Sequence, residues 1–206
     1  KRRPTNVTKL ARAVRSRDDH GVDQVVGYFD GVGTEGGMDK FTGGAFGRGI
    51  EDNIRNIYRF LVYNYVPGDE IYLFGFSRGA YTARVLAGFI HAFGLTKKIH
   101  LNLLDYAYRT YKGISEHEQR AQKQATGDAP SAFDSMRLYE RTLRNDRPPI
   151  HLLGLFDTVA SVIEPGKWGP QLKTHPFTHR NASVEMVRHA VAIDERRTMF
   201  QPELWP

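Results

Sequence analysis

The sequence predicts an α/β fold in which helices flank a parallel β-sheet, and three observations carry this prediction. Segments with helical periodicity alternate with short apolar runs, which is typical of parallel strands joined by covering helices. Residues 71–74 are continuously hydrophobic, as expected of a central strand that is buried on both faces. A glycine-rich turn over 75–79 joins this strand to a run of small and apolar residues, 80–90, that favours a helix.

The segment before this unit is predicted to hold a helix, a strand, a loop and a second helix. Thr5 or Asn6 is a suitable N-cap for the first helix. Residues 25–29 have the hydrophobicity of a short buried strand and run into a glycine-rich loop over 30–49. From Ile50 to Tyr65 apolar residues recur at helical spacing, which predicts a long amphipathic helix.

The rest of the chain is predicted to add two strands and a helical insertion to the same domain, residues 1–206. Residues 150–156 and 190–193 are apolar enough to be buried strands. The stretch from about 101 to 145 is polar and helical, so we interpret it as an insertion that stands on the sheet and could serve as a lid. Its tyrosines are expected to pack within the insertion: Tyr106, Tyr108 and Tyr111.

Composition excludes several classes of protein and of site. With 206 residues, of which 40% are hydrophobic and 25% charged, the chain is ordinary for one soluble globular domain. It contains no cysteine, which removes disulfides, thiolate zinc sites and cysteine nucleophiles. No apolar run approaches the roughly 20 residues that span a bilayer, and no apolar stretch follows the basic residues 1–3, so neither a transmembrane segment nor a signal peptide is expected.

The chain is basic, with a formal charge of +6 and a pI near 9.5. Such a charge could favour nucleic acid or an anionic lipid surface. However, the basic residues are dispersed, and aspartate or glutamate is interleaved through most of the sequence. We therefore expect no specific nucleic-acid partner.

The pentapeptide 75–79, Gly-Phe-Ser-Arg-Gly, has the G-x-S-x-G pattern of a nucleophile elbow. In such an elbow the serine sits at a strained strand-to-helix turn with its hydroxyl exposed, and glycines let the strand and the helix approach each other. Ser77 is therefore the predicted nucleophile. The backbone N–H of Arg78, at the helix N-terminus, is a predicted donor to the oxyanion. The alternative is a tight glycine–serine turn without a catalytic role.

A serine nucleophile needs a base, and the base needs an orienting carboxylate. Asp157 fits the carboxylate role because it follows the strand predicted over 150–156, at the edge of the sheet where Ser77 must also lie. The alternative is an aspartate that caps a loop by accepting hydrogen bonds from nearby amides.

No histidine stands at the expected place for the base, after a last strand. Three of the eight histidines follow Asp157, namely His175, His179 and His189. His189 precedes the strand predicted over 190–193, which would place it at the wrong end of the sheet. We expect all three to be surface or structural histidines.

Two other patterns carry little chemistry. The glycine-rich run 31–49 lacks the Gly-Lys-Ser/Thr ending of a phosphate-binding P-loop, so we interpret it as a mobile loop at the rim of the site. His189 with Asp194 and Glu195 could be considered as metal ligands, but no third partner has convincing spacing. A salt-bridged network of these charges with Arg196 and Arg197 is the simpler interpretation. The sequence therefore predicts neither a metal nor a cofactor.

Taken in order, several segments resemble the DUF2235 family, which includes the Tle1-like lipase effectors of type VI secretion. These segments span nearly the whole chain: residues 4–7 (PTNV), 28–34 (YFDGVGT), 43–47 (GGAFG), 67–69 (PGD), 75–84 (GFSRGAYTAR), 156–159 (FDTV) and 189–197 (HAVAIDERR). The resemblance implies an α/β-hydrolase that cleaves esters, with phospholipase A activity in its best-known members. It places the family's nucleophile at Ser77 and its acid at Asp157.

The same resemblance implies that the sequence is truncated at both ends relative to the family's domain. The family opens with a strand that ends in an Asp-Gly-Thr turn, and its catalytic histidine lies in a segment downstream of the stretch that matches 189–197. We therefore expect the catalytic histidine to lie outside this chain and the isolated chain to be inactive. An effector would also imply synthesis in the cytoplasm, delivery to a target cell, and secretion-apparatus or immunity partners.

Two alternatives to a phospholipid esterase remain at this point. One is an esterase or thioesterase that acts on small soluble substrates. The other is a non-catalytic binding module that retains the hydrolase fold.

Overall fold

The structure, a computed structural model, describes residues 4–31, 43–121, 132–158, 163–166, 169–172, 175–178, 181–194 and 205. Five α-helices, five strands and one 3₁₀-helix lie in this part of the chain. In chain order they are α1 (Asn6–Ala13), α2 (Gly43–Asn64), β1 (Ile71–Phe76), α3 (Arg78–Phe93), the 3₁₀-helix (Lys98–Leu103), α4 (Leu104–Ala121), α5 (Ala132–Leu143), β2 (Ile150–Phe156), β3 (Ile163–Gly166), β4 (Gly169–Leu172) and β5 (Val184–Ala190).

A three-stranded parallel sheet with the order β1-β2-β5 organises the fold. Phe76 at the end of β1 is in register with Phe156 at the end of β2, and Phe156 is in register with Ala190 of β5. Helices flank this sheet, so the predicted α/β class is confirmed. The equal register matters for function because it brings the residues that follow β1 and β2 to the same edge. β3 and β4 form a separate antiparallel hairpin.

The core lies around α3, whose residues from Ala80 to Ile90 are all buried. Tyr58 of α2 is fully buried and connects two segments, because its hydroxyl donates to the carbonyl of Gly94 at 2.8 Å and accepts from the N–H of Thr96 at 2.9 Å. Two parallel rings, Phe89 and Phe93, stack with centroids 5.4 Å apart. This aromatic cluster packs α2 against the second half of α3.

Part of the segment predicted as an insertion belongs to this core. The rings of Tyr108 and Tyr111 lie 5.5 and 5.4 Å from that of Phe89, so the prediction that they pack within the insertion is wrong. Tyr106 does pack there, against Tyr139 of α5 at 5.7 Å. The physical reason is helical spacing: Tyr108 and Tyr111, three residues apart, share the face of α4 that contacts α3.

Three of the predicted elements differ from the structure. Residues 25–29 are without regular secondary structure and largely exposed, since no described strand pairs with them. The helix α2 begins at Gly43, inside the predicted loop, while residues 32–42 lie outside the described residues. The last strand ends at Ala190 and shares only this residue with the predicted range 190–193, because the alternating residues before it form the ladder with β2.

β1 also differs from the buried strand that was predicted. Its side chains alternate, with Tyr72 and Phe76 exposed by 48% and 44%, and among the described strands it lies at the edge of its sheet. A continuous apolar run is therefore not sufficient to identify a central strand. None of the described helices is long and apolar enough to cross a membrane.

Candidate active site

Ser77 lies between the last residue of β1 and the first residue of α3, in a backbone conformation with φ 54° and ψ −118°. These angles match the first central residue of a type II′ turn, where glycine is preferred. A non-glycine residue held there costs on the order of 1–3 kcal/mol and persists only where the surroundings fix it. The predicted strained strand-to-helix turn is thus present at Ser77.

Backbone hydrogen bonds on both sides hold Ser77 in this conformation. Its N–H donates to the carbonyl of Phe156 at 2.8 Å, which extends the ladder between β1 and β2 by one residue. Its carbonyl accepts from the N–H groups of Ala80 at 3.1 Å and Tyr81 at 3.3 Å, which starts α3. The hydroxyl makes no capping hydrogen bond to the helix. The turn therefore fixes the serine backbone without using its side chain.

The two glycines of the pentapeptide have different roles. A Cβ on Gly75 would overlap with the carbonyl group of Gly79 and with Cα of Ala80, because the strand and the helix cross there. A Cβ on Gly79 would meet no atom within 4 Å. The expectation that both glycines permit the close approach is thus correct for Gly75 and wrong for Gly79.

We expect Gly75→Ala to destabilise the domain by roughly 3 kcal/mol, because backbone atoms would have to move to relieve the overlap. Gly79→Ala is the matched control and should change stability by no more than about 1 kcal/mol, in the stabilising direction, since alanine favours helix. Urea denaturation monitored by circular dichroism measures both. Equal effects of the two substitutions would contradict this account of the turn.

Asp157 follows β2 directly and lies at the same edge of the sheet as Ser77. Its N–H donates to the carbonyl of Ala190 at 2.7 Å, and its Oδ1 accepts from the N–H of Ala192 at 3.4 Å. Its φ of 50° is left-handed, a region that aspartate tolerates better than most residues. The structure therefore brings the predicted nucleophile and the predicted acid to adjacent strand ends.

Arg78 is the first residue of α3, where the N–H groups of a helix point outward along its axis. Burial lowers the pKa of its half-buried guanidinium below its ordinary value. Because α3 begins here, the positive end of its dipole faces the edge of the sheet at which Ser77 lies. A negative charge that develops there would be stabilised.

His189 occupies a different position from the one predicted. It lies in β5 one residue before the end of the strand, in register with Leu155, and so near the carboxyl edge rather than at the opposite end. Its Nε2 is hydrogen-bonded to the hydroxyl of Thr158 at 3.0 Å. Burial, and then the charge of Arg84, lower the pKa of His189 below its ordinary value of 6.5, although Asp157 acts in the opposite direction.

His175 is a structural histidine, as expected. It is buried, its Nδ1 is hydrogen-bonded to the hydroxyl of Tyr81 at 2.8 Å, and its ring stacks on that of Tyr111 at 6.3 Å. These contacts fix the loop 175–178 against α3 and α4. His179 lies outside the described residues.

Sequence reasoning missed the role of Arg84, which is completely buried in α3. Its Nε donates to the carbonyl of Thr178 at 2.7 Å, and its guanidinium lies 5.3 Å from the ring centre of Trp205. Arg84 therefore ties the loop 175–178 and the end of the chain to the helix that follows Ser77. The signal in the sequence was a lone arginine inside an otherwise small and apolar helix.

The lowered pKa of His189 predicts a pH effect on stability. The unfolded chain binds a proton at His189 more tightly than the folded chain does. The contribution of His189 to the free energy of unfolding is therefore fully present above about pH 6.5 and decreases as the pH falls below it. We expect an NMR titration of His189 to give a pKa below 6.5. His189→Gln should lose less stability than the parent protein between pH 7 and pH 5, and an equal loss would contradict the prediction.

No group of three histidine, aspartate or glutamate side chains that could hold a metal ion occurs within the described ranges. Of the trio considered from sequence, His189 and Asp194 are described, and Glu195 lies outside those ranges.

Comparison with known proteins identifies the family of the chain. Over residues 1–206 it matches the family described as "T6SS, Phospholipase effector Tle1-like, catalytic domain". It is 33% identical over 212 residues to the uncharacterized protein YEL023C of Saccharomyces cerevisiae, an alignment that covers 96% of this chain and 29% of the yeast protein. The chain thus spans less than a third of that relative's length. No solved structure matches it. The chain belongs to the family of Tle1-like phospholipase effector catalytic domains.

Proposed function

We propose that this domain is a serine hydrolase that cleaves carboxylic esters, in particular the acyl esters of phospholipids. The observation that carries the proposal is the strained turn at Ser77, with φ 54° at the junction of a parallel strand and a helix. Strain of this kind concentrates at functional sites. The phospholipase description of the family supports the choice of a lipid substrate.

In the proposed mechanism the Oγ of Ser77 attacks the acyl carbonyl and a histidine base takes its proton. The N–H of Arg78 stabilises the oxyanion of the tetrahedral intermediate. The intermediate collapses with loss of the lysophospholipid alkoxide, which receives the proton from the histidine. Water, activated by the same histidine, then releases the fatty acid and regenerates Ser77. Asp157 orients the histidine and stabilises its protonated form.

We propose that the base comes from outside the described residues. A triad base uses both ring nitrogens, one toward the serine and the other toward the acid. The Nδ1 of His175 is bonded to the hydroxyl of Tyr81 and the Nε2 of His189 to that of Thr158, so neither has this arrangement. A histidine that follows this chain in the full-length protein, as the family resemblance implies, would complete the triad.

The engaged ring nitrogens also favour one alternative, a non-catalytic binding module with a hydrolase fold. In that case the full-length protein would bind lipid or another ligand without turning it over. A third possibility, hydrolysis of small soluble esters or thioesters, keeps the same role for Ser77 and differs only in chain-length preference.

The helical segment over about 101–145 remains our proposal for a lid or a lipid-facing surface. Tyr108, Tyr111 and Ile114 of α4 are buried, and Lys112 forms an ion pair with Glu51 of α2. Arg55 of α2 is also paired with Asp105, at 3.0 Å. These contacts hold the first half of α4 against α2.

Delivery to a target cell, with secretion-apparatus and immunity partners, is a separate proposal. It is supported by the family description, which names type VI secretion effectors. Because a relative with 33% identity is a yeast protein, this part rests on the family description alone.

The substrate is tested with the full-length protein and phospholipid vesicles, with products identified by mass spectrometry. The proposal predicts free fatty acid and lysophospholipid, absent in the Ser77→Ala variant. Nitrophenyl esters of increasing chain length separate a lipase from an esterase of small substrates. Release of the head group, or binding without any hydrolysis, would contradict the proposal.

A further inference from the structure

The two residues that follow β2 are tied to the last two residues of β5. The N–H of Asp157 donates to the carbonyl of Ala190 at 2.7 Å. The hydroxyl of Thr158 is hydrogen-bonded to Nε2 of His189 at 3.0 Å. Thr158 is completely buried, whereas His189 is half-buried. Asp157 is therefore held to β5 twice, through its own backbone N–H and through the side chain of its neighbour Thr158.

Asp157 needs such support because its φ of 50° is left-handed. A residue in this region tends to relax toward negative φ unless its neighbours are held. The contact of its carboxylate with the N–H of Ala192 is long, at 3.4 Å, and restrains it weakly. Thr158, the completely buried residue that follows Asp157, provides a stronger restraint through its 3.0 Å bond to His189.

We propose that Thr158 and His189 are positioning residues, which hold the Asp157 carboxylate where it can orient the catalytic base. The inference rests on the proposed function, because it requires Asp157 to be the acid of the triad. Thr158 and His189 themselves touch neither substrate nor the reacting atoms. In this account the hydrogen bond between the two side chains acts only through the conformation of Asp157.

The electrostatic surroundings of His189 agree with this role. Arg84 and Asp157 are the charged groups that act on it, and burial together with Arg84 lowers its pKa. A neutral imidazole can exchange a hydrogen bond with the Thr158 hydroxyl without adding a positive charge that would compete for the Asp157 carboxylate. The carboxylate is then left to pair with the histidine of the triad.

The competing explanation is that the bond only satisfies a buried hydroxyl. Its loss would then lower stability and leave catalysis unchanged, since a buried unpaired polar group is costly. Kinetic constants separate the two explanations because displacement of a catalytic group by about 1 Å can lower the rate roughly 100-fold.

The test uses the full-length protein with Thr158→Val, which removes the hydroxyl and keeps the shape, and Thr158→Ser, which keeps the hydroxyl. We expect Thr158→Val to lower kcat about 10- to 100-fold with KM changed less than twofold, and Thr158→Ser to stay within about threefold of the parent. If Thr158→Val fails to fold, His189→Leu breaks the same hydrogen bond. Because His189 is only half-buried, this variant should disturb folding less, and we expect it to give the same loss of kcat.

Ser183→Ala is the matched control. Ser183 precedes β5, and its Oγ is hydrogen-bonded to Nδ1 of His91 at 2.6 Å, so the variant breaks another histidine–hydroxyl bond at the opposite end of the strand. We expect its kcat to equal that of the parent. A parent-like kcat for folded Thr158→Val, or equal losses in both variants, would overturn the inference.

A double variant separates this inference from the proposed function. In an Asp157→Asn background, Thr158→Val should lower the remaining activity less than twofold, because the residue it acts through is already disabled. A full additional loss would overturn the positioning role. If Asp157→Asn or Ser77→Ala left activity intact, the proposed function itself would fail.

Discussion

A Ser77→Ala variant of the full-length protein is expected to lose ester hydrolysis by roughly 10⁵- to 10⁶-fold in kcat. The size of the loss follows from the mechanism, because without Oγ no acyl-enzyme can form and only substrate binding and the oxyanion site remain. The measurement is kcat with a saturating ester substrate. A loss of less than about tenfold would show that Ser77 is not the nucleophile.

Ser77→Gly provides the matched control for folding. Because glycine adopts φ 54° and ψ −118° without strain, this variant should be more stable than Ser77→Ala by about 1 kcal/mol, with both equally inactive. Equal stability of the two variants in urea denaturation would contradict the strain that we assign to the turn.

Asp157→Asn is expected to lower kcat by about 10³- to 10⁴-fold while the fold is retained. The amide cannot accept the N–H of the base in the same way, so the base is held in the wrong tautomer. Asparagine tolerates the left-handed conformation of Asp157, with its φ of 50°, as well as aspartate does.

Asp157→Ala separates the two roles of this residue. Alanine tolerates positive φ poorly, so this variant should lose stability as well as activity, whereas Asp157→Asn should lose only activity. Thermal unfolding and kcat, measured on both variants, provide the comparison. A normal kcat in Asp157→Asn would assign the acid to another residue.

The positions of Ser77 and Asp157 were predictable because each follows an apolar run directly. The carboxyl ends of parallel strands meet at one edge, and the register of Phe76 with Phe156 places the two residues side by side there. The class of fold was predictable for the same reason, since strands and helices alternate along the chain. The glycine at 75 was predictable from the close crossing that an elbow requires.

Other features depend on contacts that local sequence does not encode. Residues 25–29 have the hydrophobicity of a strand but lack a described partner, and a strand is stabilised by its neighbours. His189 was misplaced because β5 has a half-exposed alternating pattern, while the apolar run after it attracted the prediction. The buried role of Arg84 follows from its contacts with Thr178 and Trp205, both far away in sequence.

The most direct test of the central claim is labelling with a fluorophosphonate, which reacts preferentially with a serine that is activated as a nucleophile. The full-length protein and the 206-residue domain are compared, with Ser77→Ala of each as the control and peptide mapping of the adduct. Labelling of the full-length protein at Ser77, with little or none in the domain alone, is the predicted result. A folded full-length protein that resists the label, or that carries it on another residue, would contradict the account.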